Sequence, residues 1–101
     1  MPAPILQADY ETLREAERSA LILAEDLAER LRKLRAVMDA LEEEGWMGRG
    51  AEAFFEEMHE EVLPRFRRLV IALEETSFTL REVGHSFNES EDQAATQLLW
   101  R

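Results

Sequence analysis

Gly45-Trp46-Met47-Gly48-Arg49-Gly50 holds three of the chain's four glycines, and apolar residues repeat at helical spacing on both sides of it. Glycine reaches positive φ without a Cβ penalty, so a cluster of it between two periodic blocks marks a turn. Before the cluster, Leu6, Tyr10, Leu13, Glu17, Ala20, Ala24, Leu27, Leu31, Leu34, Met38 and Leu41 succeed one another in alternating steps of four and three. Such steps lay one stripe along an α-helix, and only Glu17 interrupts its apolar character. After the cluster, Phe55, His59, Val62, Phe66, Leu69, Leu73, Thr76, Leu80, Val83 and Phe87 do the same. No stretch alternates with the period of a strand. The reading is an all-α single domain: a helix over 6–44, a turn over 45–50, a helix over 51–88 and a tail over 89–101.

A connection this short folds the two helices antiparallel into a helix-turn-helix hairpin. Seam residues then face each other where their numbers sum to about 96, as Leu41 with Phe55 or Leu27 with Leu69. Pro64 lies inside the second block and removes the amide that would bond the Glu60 carbonyl, which predicts a kink, not a break, since the periodicity runs on. Ser90-Glu91-Asp92-Gln93 has the pattern of a capping box. It predicts that the second helix ends near Phe87-Asn88 and that a separate helical turn comes after it.

Further apolar residues flank the first stripe at Ala16, Leu21, Leu23, Ala28 and Val37 and the second at Met58, Leu63, Val70 and Ala72. Stripes this wide exceed what a two-helix contact covers. They predict a second interface, with Leu21, Leu23, Ala28, Val37, Leu63 and Val70 as its candidates, and a four-helix bundle of two hairpins as the simplest cover. Ile71 and Phe78, seven apart, fall on the back of the second helix, either as scattered surface residues or as a further docking face.

Charge narrows the partners. The chain has 22 acidic against 12 basic residues and a formal charge of -10 over 101 residues, and the deficit is shared equally by 1–44 and 45–101. A negative surface on both halves argues against nucleic acid and anionic lipid. Without cysteine there is no disulfide, thiol nucleophile or Cys-based zinc site. The first residues, Met1-Pro2-Ala3-Pro4-Ile5-Leu6, lack the basic and apolar regions of a cleavable signal peptide, and no window reaches the length of a membrane span. Neither membrane insertion nor a cleaved leader is expected, so export would need another kind of address.

Trp46-x-Gly48 at the tip of two long helices, with Ala51-x-x-Phe54 just after it, in a chain of about one hundred residues, resembles the WXG family. These are the early-secreted-antigen-like proteins handled by type VII secretion. The resemblance covers the whole chain. It implies a non-enzymatic export substrate or export partner, a dimeric helical bundle, that is cytoplasmic before export and then secreted without a cleavable signal peptide. Trp46 and Gly48 fill the turn and, by the same resemblance, belong to a composite export feature completed by the partner's second helix. Family substrates carry Tyr-x-x-x-Asp/Glu after the second helix. Here Phe87 and Glu91 take those places, the aromatic without its hydroxyl, and Phe87 is also the last seam residue. Leu98, Leu99 and Trp100 are similar to the apolar tails that the family offers to the secretion ATPase, and read equally as a frayed end. A homodimer is favoured over a pair with a related chain. The rival reading is a cytosolic helical adaptor or chaperone for a larger toxin.

Glu56 with His59 and Glu82 with His85 form Glu-x-x-His pairs, half of a di-iron site in four-helix bundles. The register argues against one. His59 would face Val37 and Met38 in the seam, and Glu17, the only seam carboxylate of the first helix, would lie about 25 Å further along, near Thr76 and Thr79. Glu17 is expected to snorkel or to accept a hydrogen bond from one of those threonines. No catalytic residue, metal site or cofactor is expected.

Overall fold

A computed structural model of the protein describes the backbone of residues 4–99 and the side chains of residues 9–94. The chain is an all-α helical hairpin, with no strand among the described residues. Helix α1 spans Pro4–Glu43, α2 spans Arg49–Glu57, a π-helical turn spans Met58–Val62, and α3 spans Leu63–Leu99. The helices contribute to two compact units. One joins the described residues up to Leu21 to those from Glu74 onward, and the other is Ile22–Leu73.

The first stripe is buried as its spacing requires. Ala20, Ala24 and Met38 are buried, and Tyr10, Leu13, Glu17, Leu27, Leu31, Leu34 and Leu41 are half-buried. The second stripe is only half as expected. Leu73, Leu80 and Phe87 sit in the seam, but the positions between them are Leu63, Val70, Ser77 and Gly84, each one residue later than Val62, Leu69, Thr76 and Val83. Leu69 and Val83 are exposed instead.

The π-turn accounts for that slip. The Leu63 N–H donates to the Met58 carbonyl five residues back, so the turn holds one residue more than α-helical winding would. Pro64 comes directly after it. In a regular helix its ring would meet the carbonyl four residues earlier, and opening the preceding rung relieves that clash. The extra residue rotates the remainder of the helix by about 100°. Val62 and Leu63 are thereby both turned inward, and from there Val70, Ser77 and Gly84 each come one residue later than expected while Leu73, Leu80 and Phe87 keep their places.

Small residues at the slipped positions let the helices approach. In the unit that holds Tyr10 and Gly84, a Cβ added to Gly84 would sit 3.8 Å from the Tyr10 ring. The Ser77 hydroxyl donates to the Glu17 carbonyl at 3.0 Å. The seam partner of Glu17 is therefore its main chain, met by Ser77, while its carboxylate lies 3.9 Å from Arg14. These pairings, with Tyr10 stacked on Phe87, are antiparallel within this unit.

The second helix does not stop near Asn88. Helix α3 continues through Ser90-Glu91-Asp92-Gln93 to Leu99. Beyond Gly84 the sequence offers neither proline nor glycine, and a capping-box pattern without a breaker in front of it is simply read as helix.

Candidate functional site

At the tip, α1 ends on a left-handed glycine. Gly45 has φ 80, its N–H donates to the Glu42 carbonyl at 3.1 Å, and the Trp46 N–H donates to the Leu41 carbonyl at 3.1 Å. Those two bonds satisfy carbonyls that every helix C-terminus leaves open. Gly48 caps α2 with φ 114 and ψ 172, a backbone region open essentially to glycine alone, and its carbonyl accepts the Glu52 N–H at 2.9 Å. Trp46 and Gly48 thus both belong to the turn.

The indole of Trp46 stands edge-on to Phe54 and Phe55, with centroids 5.6 and 5.3 Å away, and those two rings meet each other at 5.5 Å. Edge-to-face contacts of this kind pin the start of α2 against the end of α1. Ala51 is buried, while Met47 projects with 82% of its surface exposed. His59 does not enter the seam. The π-turn carries it outward to Glu42, with Nε2 3.1 Å from Oε1, so it ties the second helix to the last turn of α1. His85 is also exposed, 3.5 Å from Glu89. Among the described residues no group of three or more His, Asp or Glu is placed to hold a metal ion.

In the Ile22–Leu73 unit, the two edges of the seam differ in chemistry. Ala28, Arg32 and Arg35 of α1 and Arg67 of α3 line a shallow groove over Leu31, Leu63 and Val70. Leu23 and Val37 flank the α1 stripe on its other side, each one residue before a buried position, and Leu69 does so on α3. With Phe66 they leave that second edge apolar and exposed; Leu23 and Val37 each keep more than half their surface. Of the interface candidates, Leu21, Leu23 and Val37 are exposed and Ala28 half-buried. Leu63 and Val70, only 7% exposed, are corrected to seam residues, moved there by the π-turn.

In the other unit, Phe87 stacks on Tyr10, with centroids 6.3 Å apart and planes 17° from parallel. The Tyr10 hydroxyl accepts a hydrogen bond from Arg14 at 3.2 Å, which raises the Arg14 pKa further. One turn beyond Phe87, Glu91 is half-buried and its Oε1 has no hydrogen-bond partner. Phe78 is exposed, with the Arg81 guanidinium 5.3 Å over its ring, and Ile71, in the Ile22–Leu73 unit, is exposed as well. The side chains of Leu98 and Leu99, and Trp100 altogether, lie outside the described residues. The antiparallel register already set Tyr10 opposite Phe87; what it did not resolve was Ser77, in place of Thr76 or Thr79, as the partner of Glu17. The small residues Ser77 and Gly84, seven apart and in line with Leu63 and Val70, were the available signal.

Among the described residues no helix is long and apolar enough to cross a membrane. Neither a curated protein nor a solved structure matches the chain significantly. The family model described as proteins of 100 residues with WXG matches residues 5–92, which takes in both stripes and the tip. The chain therefore belongs to the WXG100 family and is a type VII secretion-associated helical protein.

Proposed function

We propose that the protein is a non-enzymatic substrate or export partner of a type VII secretion system. It travels as a four-helix bundle of two hairpins, preferentially two copies of this chain. The observation that carries the pairing is the exposed apolar edge of the Ile22–Leu73 unit, formed by Leu23, Val37, Phe66 and Leu69. An edge of that character on a chain of charge -10 needs a cover, and a second hairpin offers an edge of the same kind. Trp46 and Gly48 hold the tip that is presented with the partner's second helix. Phe87 and Glu91 form the recognition patch, and the C-terminal residues Leu98, Leu99 and Trp100 meet the secretion ATPase. Glu91 supports this role through its place one helical turn beyond Phe87, on the same face of α3. The protein is cytoplasmic before export and leaves without a cleaved leader.

One observation favours the rival reading, a cytosolic adaptor for a larger toxin. Phe87 is engaged by Tyr10 in the seam, so the aromatic half of the patch is not freely presented. A secretion assay separates the two. Wild type should reach the medium, while Glu91→Ala and a chain truncated after Ala95 should accumulate in cells at unchanged total amounts. Retention of the wild-type chain in the producing cell, with its system active, would establish the adaptor instead. For the pairing, light scattering on Leu23→Asp/Leu69→Asp should show a monomer of unchanged helicity where wild type is a dimer.

A further inference from the structure

Several arginines of this chain pair on their own helix with a carboxylate three or four residues earlier. Arg30 bonds Asp26, Arg65 bonds Glu61, and Arg32 bonds Glu29. Among the described residues Arg18, Arg49, Arg68 and Arg81 form no ion pair, and Arg35 and Arg67 join them but differ in where they stand. Among the described residues neither has a carboxylate within 4.0 Å, although the chain carries 22 of them. Around Arg67 the positions three and four away are Leu63, Pro64, Val70 and Ile71, so its own helix offers no acid. Both arginines stand over the groove of the Ile22–Leu73 unit, Arg35 on the α1 bank and Arg67 on the α3 bank. The floor between them is Leu31, Leu63 and Val70.

We infer that this groove is a docking site for an amphipathic helix of a different protein, one with an apolar ridge at three-four spacing and Asp or Glu on both of its flanks. The floor supplies the apolar contact that a ridge of that spacing requires. Guanidinium groups on both banks present the fork that takes a carboxylate through two parallel bonds, so the charges of the guest are specified on both sides. A polyanion such as nucleic acid is disfavoured, because the surface outside this groove is strongly negative. A second copy of the chain fits less well. Its exposed apolar edge belongs to the opposite side of the seam, and a groove-to-edge contact between copies is heterologous and does not close. The inference is independent of export. It concerns the edge not used for pairing, and a failed secretion assay would leave it standing.

The test uses the full chain and a fluorescent synthetic helix of about 18 residues with Leu at three-four spacing and Glu on both flanks, beside the same peptide with Lys for Glu. Anisotropy should show saturable binding of the Glu-flanked peptide only. Arg35→Glu/Arg67→Glu, whose helicity is checked by circular dichroism, should weaken that binding by about tenfold or more and gain affinity for the Lys-flanked peptide. Three results would overturn the inference. The peptides could bind alike, or the double variant could bind the Glu-flanked helix as wild type does. Failure of the Glu-flanked helix to bind, with self-association lost in the double variant or dodecanoate taken up saturably, would hand the groove to a second copy or to a small amphiphile.

Discussion

Each glycine of the turn stretch has its own backbone demand, and those demands are separable by substitution. A Cβ at Gly48 would meet nothing within 4 Å, so its only obstacle is φ 114 with ψ 172. Gly48→Ala should therefore cost about 1–3 kcal/mol from backbone strain alone. Gly50 lies inside α2 without a positive φ and with equally open space. Gly50→Ala should gain about 0.4–1 kcal/mol by restricting the unfolded chain. Thermal melts of the two variants should therefore shift in opposite directions. A loss of stability in both would mean that the stretch needs flexibility at every position, not two fixed conformations. Gly84 extends the same reasoning to the seam. Although it is buried, the added Cβ would make ordinary contact with Tyr10, so Gly84→Ala should be stabilising by about 0.4–1 kcal/mol, as read from denaturant midpoints.

At the scale of elements, the π-turn and Pro64 are one device. Deleting Glu61 removes the extra residue and returns Met58–Val62 to α-helical winding, which places the proline in a regular rung at a cost of about 3 kcal/mol. Combining the deletion with Pro64→Ala should recover most of that loss. Urea titrations of the single and double variants measure this coupling, and additive effects would dissociate the turn from the proline. The same device explains why the two helices differed in legibility. Helix α1 has no breaker, so its stripe from Tyr10 to Leu41 was readable to the residue. In the second helix both members of Val62/Leu63 and of Leu69/Val70 are apolar, so spacing alone could not choose between them. At Thr76/Ser77 and Val83/Gly84 hydrophobicity chose wrongly, because close approach of α1 selects small side chains over apolar ones. His59 was misplaced because it lies within the π-turn and faces Glu42 outside the seam. At the tip, by contrast, Trp46 and Gly48 were legible because positive φ leaves glycine as nearly the sole solution. The stacking of Tyr10 on Phe87 follows the register that a short turn imposes on two antiparallel stripes.

At the scale of the whole molecule, net charge and local surface make opposite predictions for association. Two chains of charge -10 repel, so pairing through the apolar edge of Leu23, Val37, Phe66 and Leu69 proceeds against a long-range field that salt screens. Raising the salt from about 0.02 M to about 0.5 M shortens the screening length from roughly 20 Å to roughly 4 Å. The self-association constant should then rise a few-fold in sedimentation equilibrium. Capture of an acidic helix by Arg35 and Arg67 should respond in the opposite sense, weakening over the same range because its charged contacts lie at the open banks of the groove. If self-association instead fell with salt, the copies would be held by arginine–carboxylate contacts and the apolar edge would belong to some other partner. The sign of one salt dependence thus decides which edge of the hairpin two copies share.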